Sequence, residues 1–415
     1  MRTTDNNCGE TIKNLQAETI EDLKQIANKS LLDLQKENPN LLVFPQNLGE
    51  YKDGVEKSHI FSLDDEKLTT YNLMGFVGRN STQITISSRF AKDDKNDYFL
   101  HYMLQKVFSI NILKFDQTPN KENIWDFLLY LFPYYLKKAY SQGMYKAYKR
   151  EEYNDANVKG AIDVKRHILK NIPFMGKIAY TTREHSHNNN LTQLIRHTIE
   201  HIKTHPFGSG VLTSDSEVRD IVSRFIFVTD KSYNKNARQK VISANLKPAL
   251  HPYFTEYTPL QKICLQILRH ENIAFGKEKD KVYGLLFDGA WLWEEYLNTI
   301  LKDCGFKHPD NKKGTGRIYL FSNTKSHFRY PDFRKDGFVL DAKYKNLVSL
   351  NNDGTCKFNI DRNDMHQIIS YMYVLKASKG GFIYPYPIKT NEVKCESVGV
   401  LNGYGGNVET WGVPI

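Results

Sequence analysis

The stretch Arg329-Tyr330-Pro331-Asp332-Phe333-Arg334-Lys335-Asp336-Gly337-Phe338-Val339-Leu340-Asp341-Ala342-Lys343-Tyr344-Lys345 decides how this chain is read. Asp336-Gly337 stands between two runs in which apolar residues alternate, a strong signal for a two-residue hairpin turn. With those two residues as the turn, Lys335 pairs with Phe338, Phe333 with Leu340, and Asp332 stands opposite Asp341. Directly opposed residues on one face of a ladder lie roughly 5 Å apart, so the register predicts two carboxylates facing each other. Like charges so placed weaken a sheet, whereas a divalent cation between them turns the repulsion into a pair of ligands.

The period of a strand supplies a third member. Lys343 follows Asp341 by two residues and emerges on the same face, while the small Ala342 points to the other side. Carboxylate oxygens suit a hard cation, Mg2+ or Mn2+. An ammonium beside them is suited to orienting a water nucleophile or stabilising charge that develops on a phosphate. The residue types together point to metal-assisted hydrolysis.

Two flanking helices extend the constellation. In Trp291-Leu292-Trp293-Glu294-Glu295-Tyr296-Leu297, a rotation of about 100° per residue gathers Ala290, Trp293, Leu297, Ile300 and Leu301 into one stripe. Glu294 falls at its edge and Glu295 points away. An inward carboxylate is costly without a partner, which makes Glu294 the candidate further ligand. Downstream, Gln367 and Tyr371 lie one turn apart on an expected helix over Asp364–Lys376 and reach toward the same site or a phosphate. The candidate catalytic set is Asp332, Asp341, Lys343, Glu294 and Gln367. The candidate metal donors are Asp332, Asp341, Glu294 and the backbone carbonyl of Ala342. An isolated Asp-x-Lys is usually a solvated hairpin; the combination carries the chemistry.

Working outward, the 415 residues exceed one ordinary core, and 40% hydrophobic with 25% charged residues is a soluble globular balance. The net charge of +10 suits a phosphate-rich partner. The polar opening Met1–Leu15 has no apolar core of a secretory signal, and no apolar run is long enough to span a bilayer, so a cytoplasmic protein without membrane contact is expected. Cys8, Cys264, Cys304, Cys356 and Cys395 form no Cys-x-x-Cys pair and predict neither disulfides nor structural zinc.

The expected architecture is multidomain α/β in three consecutive segments. Residues 1–115 read as an α+β unit with a helix over 11–37, a strand at Leu41–Phe44 and a hairpin over Leu73–Ser87. Residues 116–255 read as mainly helical, and 256–415 as an α/β module of helices over Thr258–Ile273 and Gly289–Cys304, strands, the Asp364–Lys376 helix and a strand over Gly380–Tyr384.

Three other patterns compete. His197-Thr198-Ile199-Glu200-His201 matches an inverted zinc-peptidase pattern but lacks an evident third ligand. Gly143–Tyr153 interleaves basic and aromatic residues, which fits a nucleic-acid strip or, more commonly, a helix with tyrosines turned inward. The glycine-rich Gly403–Asn407 opens no helix and has no Walker lysine, so no nucleotide site is expected in this chain.

Several segments resemble the McrC family, the nuclease subunits of McrBC modification-dependent restriction systems. They are Val158–Asp163, Asn189–Arg196, Leu292–Leu297, Pro331-Asp332, Leu340–Tyr344 and His366–Tyr371, in the family's order. Ala161 stands where the family usually has arginine, and Ser87-Ser88-Arg89-Phe90 where many members have Pro-Lys. The resemblance implies a PD-(D/E)XK restriction-endonuclease-like domain over 256–415 that cuts DNA. It further implies a McrB-type AAA+ GTPase as partner, which reads the modified base and whose hydrolysis this subunit stimulates. A non-catalytic bridging subunit and a stand-alone repair nuclease are the alternatives.

Overall fold

A computed structural model describes residues 1–415 apart from 13–15, 39–40, 46–57, 66, 92–96, 109–120, 206–207, 214, 270–279, 310, 312–313, 351–355, 388–391 and 404. The chain divides into two compact units, one of Met1–Thr118 with Phe275–Ile415 and one of Pro119–Ala274. This differs from three consecutive segments, and the physical reason is one strand. Val282–Asp288 is buried along its whole length. It lies between Leu73–Arg79, antiparallel, and Leu41–Phe44, parallel, in a five-stranded sheet completed by Thr82–Ser87 and Arg2–Thr4. An apolar run buried on both faces shows no alternation, and this one was not anticipated. The boundary expected at 115/116 falls outside the described residues.

The hairpin expected over Leu73–Ser87 forms, with Asn80 left-handed in its turn. Gly75 sits where a Cβ would meet the Leu285 carbonyl oxygen at 2.1 Å, so close strand approach requires glycine there. The long first helix is two helices, Ala17–Ile26 and Leu31–Glu37, interrupted where Asn28 takes a positive φ and Ser30 caps the second through the Asp33 N–H. Leu23, Ile26, Leu31 and Leu34 pack against the sheet in one core.

The second sheet of this unit has the order Phe333–Lys335, Phe338–Ala342, Lys379–Tyr386, Asn407–Pro414, Lys394–Val400. Its three central strands are parallel, and both edge strands run antiparallel to them. Helix Arg362–Leu375 lies between two of the parallel strands in sequence and packs Ile368, Tyr371 and Met372 onto Val339, Phe382 and Tyr384. Gly381 permits the close approach of the next strand, since a Cβ there would lie 2.2 Å from the Glu409 carbonyl oxygen.

The other unit is helical around Asn190–Thr204, Ser216–Thr229 and Tyr257–Arg269, yet it also carries a three-stranded antiparallel sheet of Ala147–Asp155, Ile178–Ser186 and Ala161–Ile162. The mainly helical expectation missed that sheet. Gly143–Tyr153 is therefore largely strand rather than helix: exposure alternates residue by residue at its start, and Tyr148, 65% exposed, stacks on His185 instead of turning inward. No described helix is long and apolar enough to cross a membrane.

Candidate functional site

The hairpin register is the expected one: Lys335 pairs with Phe338, Arg334 with Val339 and Phe333 with Leu340. Gly337 is left-handed in the two-residue turn, at a φ of 71°. One residue beyond the paired segment, Asp332 accepts the Ala342 backbone N–H at 2.8 Å. Its carboxyl lies beside that of Asp341, and the two interact electrostatically. Burial, and next the Asp341 charge, push the Asp332 carboxyl well above the usual carboxylate range. Asp341 is only 2% exposed, and burial raises its pKa as well, against the pull of Lys343.

Lys343 comes to the same place. Its ammonium lies 2.7 Å from Asp341 Oδ2 and 2.7 Å from Asp364 Oδ1. Burial works against its charge, but the two carboxylates outweigh that and raise its pKa, so the side chain is a cation. Asp341 Oδ2 thus meets the Lys343 ammonium, while its buried carboxylate stands beside that of Asp332. Two buried carboxylates side by side, each with its charged form disfavoured, are what a hard cation fits.

Gln367 joins from helix Arg362–Leu375. Its Nε2 donates to Asp341 Oδ1 at 3.4 Å and to the Tyr371 hydroxyl at 2.5 Å; Tyr371 in turn donates to the Tyr330 carbonyl at 3.0 Å. Glu294 sits partly exposed on helix Gly289–Leu301. Among the described residues no three His, Cys, Asp or Glu side chains gather as a ligand set, so Glu294 does not complete one with the two aspartates. The same holds for the His197–His201 pattern, where Glu200 is held by Arg196 and Lys203, each at 3.0 Å.

Asp364 was missed by the sequence reading. It sits in the first turn of the helix, where an acidic residue looks like ordinary dipole compensation. There it takes Lys343 on one oxygen and Lys345, at 2.6 Å, on the other. Lys343 and Lys345 emerging on the same face was the available signal.

A second cluster holds the following residue. Tyr344 is buried, its hydroxyl 2.7 Å from Ser88 Oγ and 3.1 Å from the Met74 sulfur, with Arg89 stacked 4.9 Å over its ring. This ties the residue after Lys343 to the first sheet.

A comparison with curated proteins finds no match. Among solved structures, a chain of the half-complex of the Thermococcus gammatolerans McrB AAA+ hexamers with bound McrC is 14% identical, at a TM-score of 0.48. That match covers 100% of this chain and 95% of the other. A chain of the Thermococcus gammatolerans McrBC complex is also 14% identical, at a TM-score of 0.32, with 73% of this chain and 87% of that chain covered. The family model for the McrBC 5-methylcytosine restriction system component matches residues 68–385, well over half of the sequence, and the chain belongs to that family.

Proposed function

We propose that this chain is a metal-dependent DNA endonuclease subunit of PD-(D/E)XK type, acting with a McrB-type AAA+ GTPase whose hydrolysis it stimulates. The observation that carries the reading is the convergence of Asp332, Asp341 and Lys343 at the end of one hairpin. Family membership supports the restriction-system context. The arrangement of helix Arg362–Leu375 between parallel strands, with the acidic pair at the end of the first, supports the nuclease fold.

Asp332 and Asp341 would hold Mg2+ or Mn2+, with the Ala342 carbonyl as a further donor. A bound divalent ion supplies Lewis-acid polarisation of the scissile phosphate and a more acidic water. The chain's own residues do the rest. Lys343, held as a cation, donates to the attacking water or to the phosphate oxygen that gains charge; being protonated, it orients and stabilises and does not take the proton. Gln367 fixes the Asp341 carboxylate and, through Tyr371, the backbone that leads into Asp332. The attacking water forms a new phosphorus–oxygen bond as the ester phosphorus–oxygen bond breaks; its proton passes to bulk solvent, and the leaving oxygen takes a proton from solvent.

The test is a DNA-cleavage assay with the partner GTPase, GTP and Mg2+, run on wild type and Asp341→Ala. Loss of cutting with partner binding and GTPase stimulation retained supports the assignment. Undiminished Mg2+-dependent cutting by the variant would remove it, and stimulation without any cutting by wild type would favour a non-catalytic bridging subunit.

A further inference from the structure

Immediately before the acidic pair the chain makes a small ribbon, Ile318–Tyr319 paired antiparallel with Phe328–Arg329, and Leu320 N–H donates to the His327 carbonyl at its outer end. Residues 321–329 are all exposed. From Asn311 to Pro331 the sequence contains no aspartate or glutamate, while Arg317, Lys325 and Arg329 supply positive charge. Aromatic rings interleave with the cations and face solvent: Phe321 is 53% and Phe328 41% exposed. Phe321 meets the His327 ring and Phe328 the Tyr330 ring, yet both leave much of their surface to solvent, and an acid-free cationic surface has its natural complement in phosphate.

The ribbon is also prepared and anchored. The Arg317 guanidinium stacks 4.5 Å over Phe328 and 5.7 Å from the Tyr330 ring centre, and its Nε donates to the Tyr330 hydroxyl at 3.0 Å. Stacking occupies the flat face of a guanidinium and fixes the plane in which its edge can meet a phosphate. Tyr330 precedes Asp332 by two residues, so their Cα atoms lie within about 7 Å of each other. Its carbonyl accepts from Tyr371, the same hydroxyl that receives Gln367 from the Asp341 side. One residue thus joins the ribbon to the carboxylates.

We infer that the 317–330 ribbon is a DNA-binding element, with Arg317, Lys325 and Arg329 on phosphates flanking the cut and Phe321 and Phe328 against sugars or unstacked bases. The inference rests on the nuclease reading for its placement next to the scissile bond, but binding is measured apart from cutting. The full chain, in chelator so that nothing is cleaved, is titrated into a fluorescein-labelled DNA duplex across a salt series, and anisotropy is read. The triple change Arg317→Gln, Lys325→Gln, Arg329→Gln is compared with Lys24→Gln, Lys36→Gln, Lys302→Gln, which removes equal charge from exposed positions of the same unit. The ribbon variant is expected to bind at least about tenfold more weakly and to lose roughly 2–3 from the log–log salt slope, with the control close to wild type. Equal effects in both variants, no effect in either, or no binding by wild type overturns the inference. Lys325→Gln alone, at the exposed tip, is expected to lower the slope by about 1; an unchanged slope counts against the ribbon whatever the triple variant does. Ribbon-dependent binding together with an Asp341→Ala chain that still cuts would reject the cutting site and leave the ribbon standing.

Discussion

The Lys343 ammonium is clamped between Asp341 and Asp364, and its ion pair with Asp364, 2.7 Å long, comes from a different secondary-structure element than its ion pair with Asp341. The helix carboxylate thereby sets where the positive charge sits relative to the acidic pair. Asp364 shares the Lys343 ammonium with Asp341 and also acts on Asp341 through its charge. Asp364→Asn is expected to slow cleavage by about 10–100-fold, the usual cost of losing an orienting partner, with DNA affinity in chelator unchanged. Single-turnover cleavage beside anisotropy binding checks this; full activity would show that Asp341 alone positions the lysine.

The Asp332–Asp341 pair costs the metal-free protein stability. An acid whose folded pKa lies above its unfolded one destabilises the fold as pH rises past the unfolded value, and the cost is complete once pH exceeds the folded value. Both carboxyls are raised, so this penalty is present at neutral pH in chelator and absent at acid pH. Asp332→Asn keeps an acceptor for the Ala342 N–H and offers Asp341 a donor. It is expected to raise the neutral-pH melting temperature in chelator by roughly 2–4 °C per kcal/mol relieved, while abolishing cleavage. Scanning calorimetry at two pH values measures it; a lower melting temperature would mean that the pair is not strained.

Tyr344→Phe removes a buried hydroxyl that meets Ser88 and Met74. About 1–2 kcal/mol of stability should be lost, as for a typical buried hydrogen bond. Denaturant unfolding followed by tryptophan fluorescence reads this, and an unchanged midpoint would show that the hydroxyl contributes nothing to the link.

Gly75→Ala places a methyl group 2.1 Å from the Leu285 carbonyl oxygen in a backbone of positive φ. The ladder between Leu73–Arg79 and Val282–Asp288 must open to admit it. The variant is expected to express largely as insoluble protein or to melt at least several degrees lower. Wild-type solubility and melting would contradict the pairing that joins the two ends of the sequence.

The hairpin and its register were legible because Asp336-Gly337 leaves one way to pair the flanking runs, and that register alone brings Asp332 to Asp341. Lys343 followed from strand period, and Gln367 from helical spacing. Asp364 was not legible: its partners lie about twenty residues away in sequence, and an acid in a first helical turn needs no special explanation. The position of Glu294 depended on a helix face, and an edge-of-stripe residue is decided by how the helix is rolled against its sheet, which periodicity does not fix. The division into units was missed for a related reason. Val282–Asp288, buried on both faces, carries no alternation and pairs with strands about two hundred residues earlier. Ala147–Asp155 was misread because aromatic and basic residues at mixed spacings satisfy period two as readily as a helix does.

The proposed cutting reaction depends on two acidic side chains acting as one cation site. Mn2+ binding by electron paramagnetic resonance, on the full chain without nucleotide or DNA, measures this directly. Wild type is expected to take up Mn2+ at a site that Mg2+ displaces, and Asp332→Asn and Asp341→Asn each to lose it. Equal Mn2+ uptake by wild type and both variants, or none by wild type even with DNA added, would contradict it.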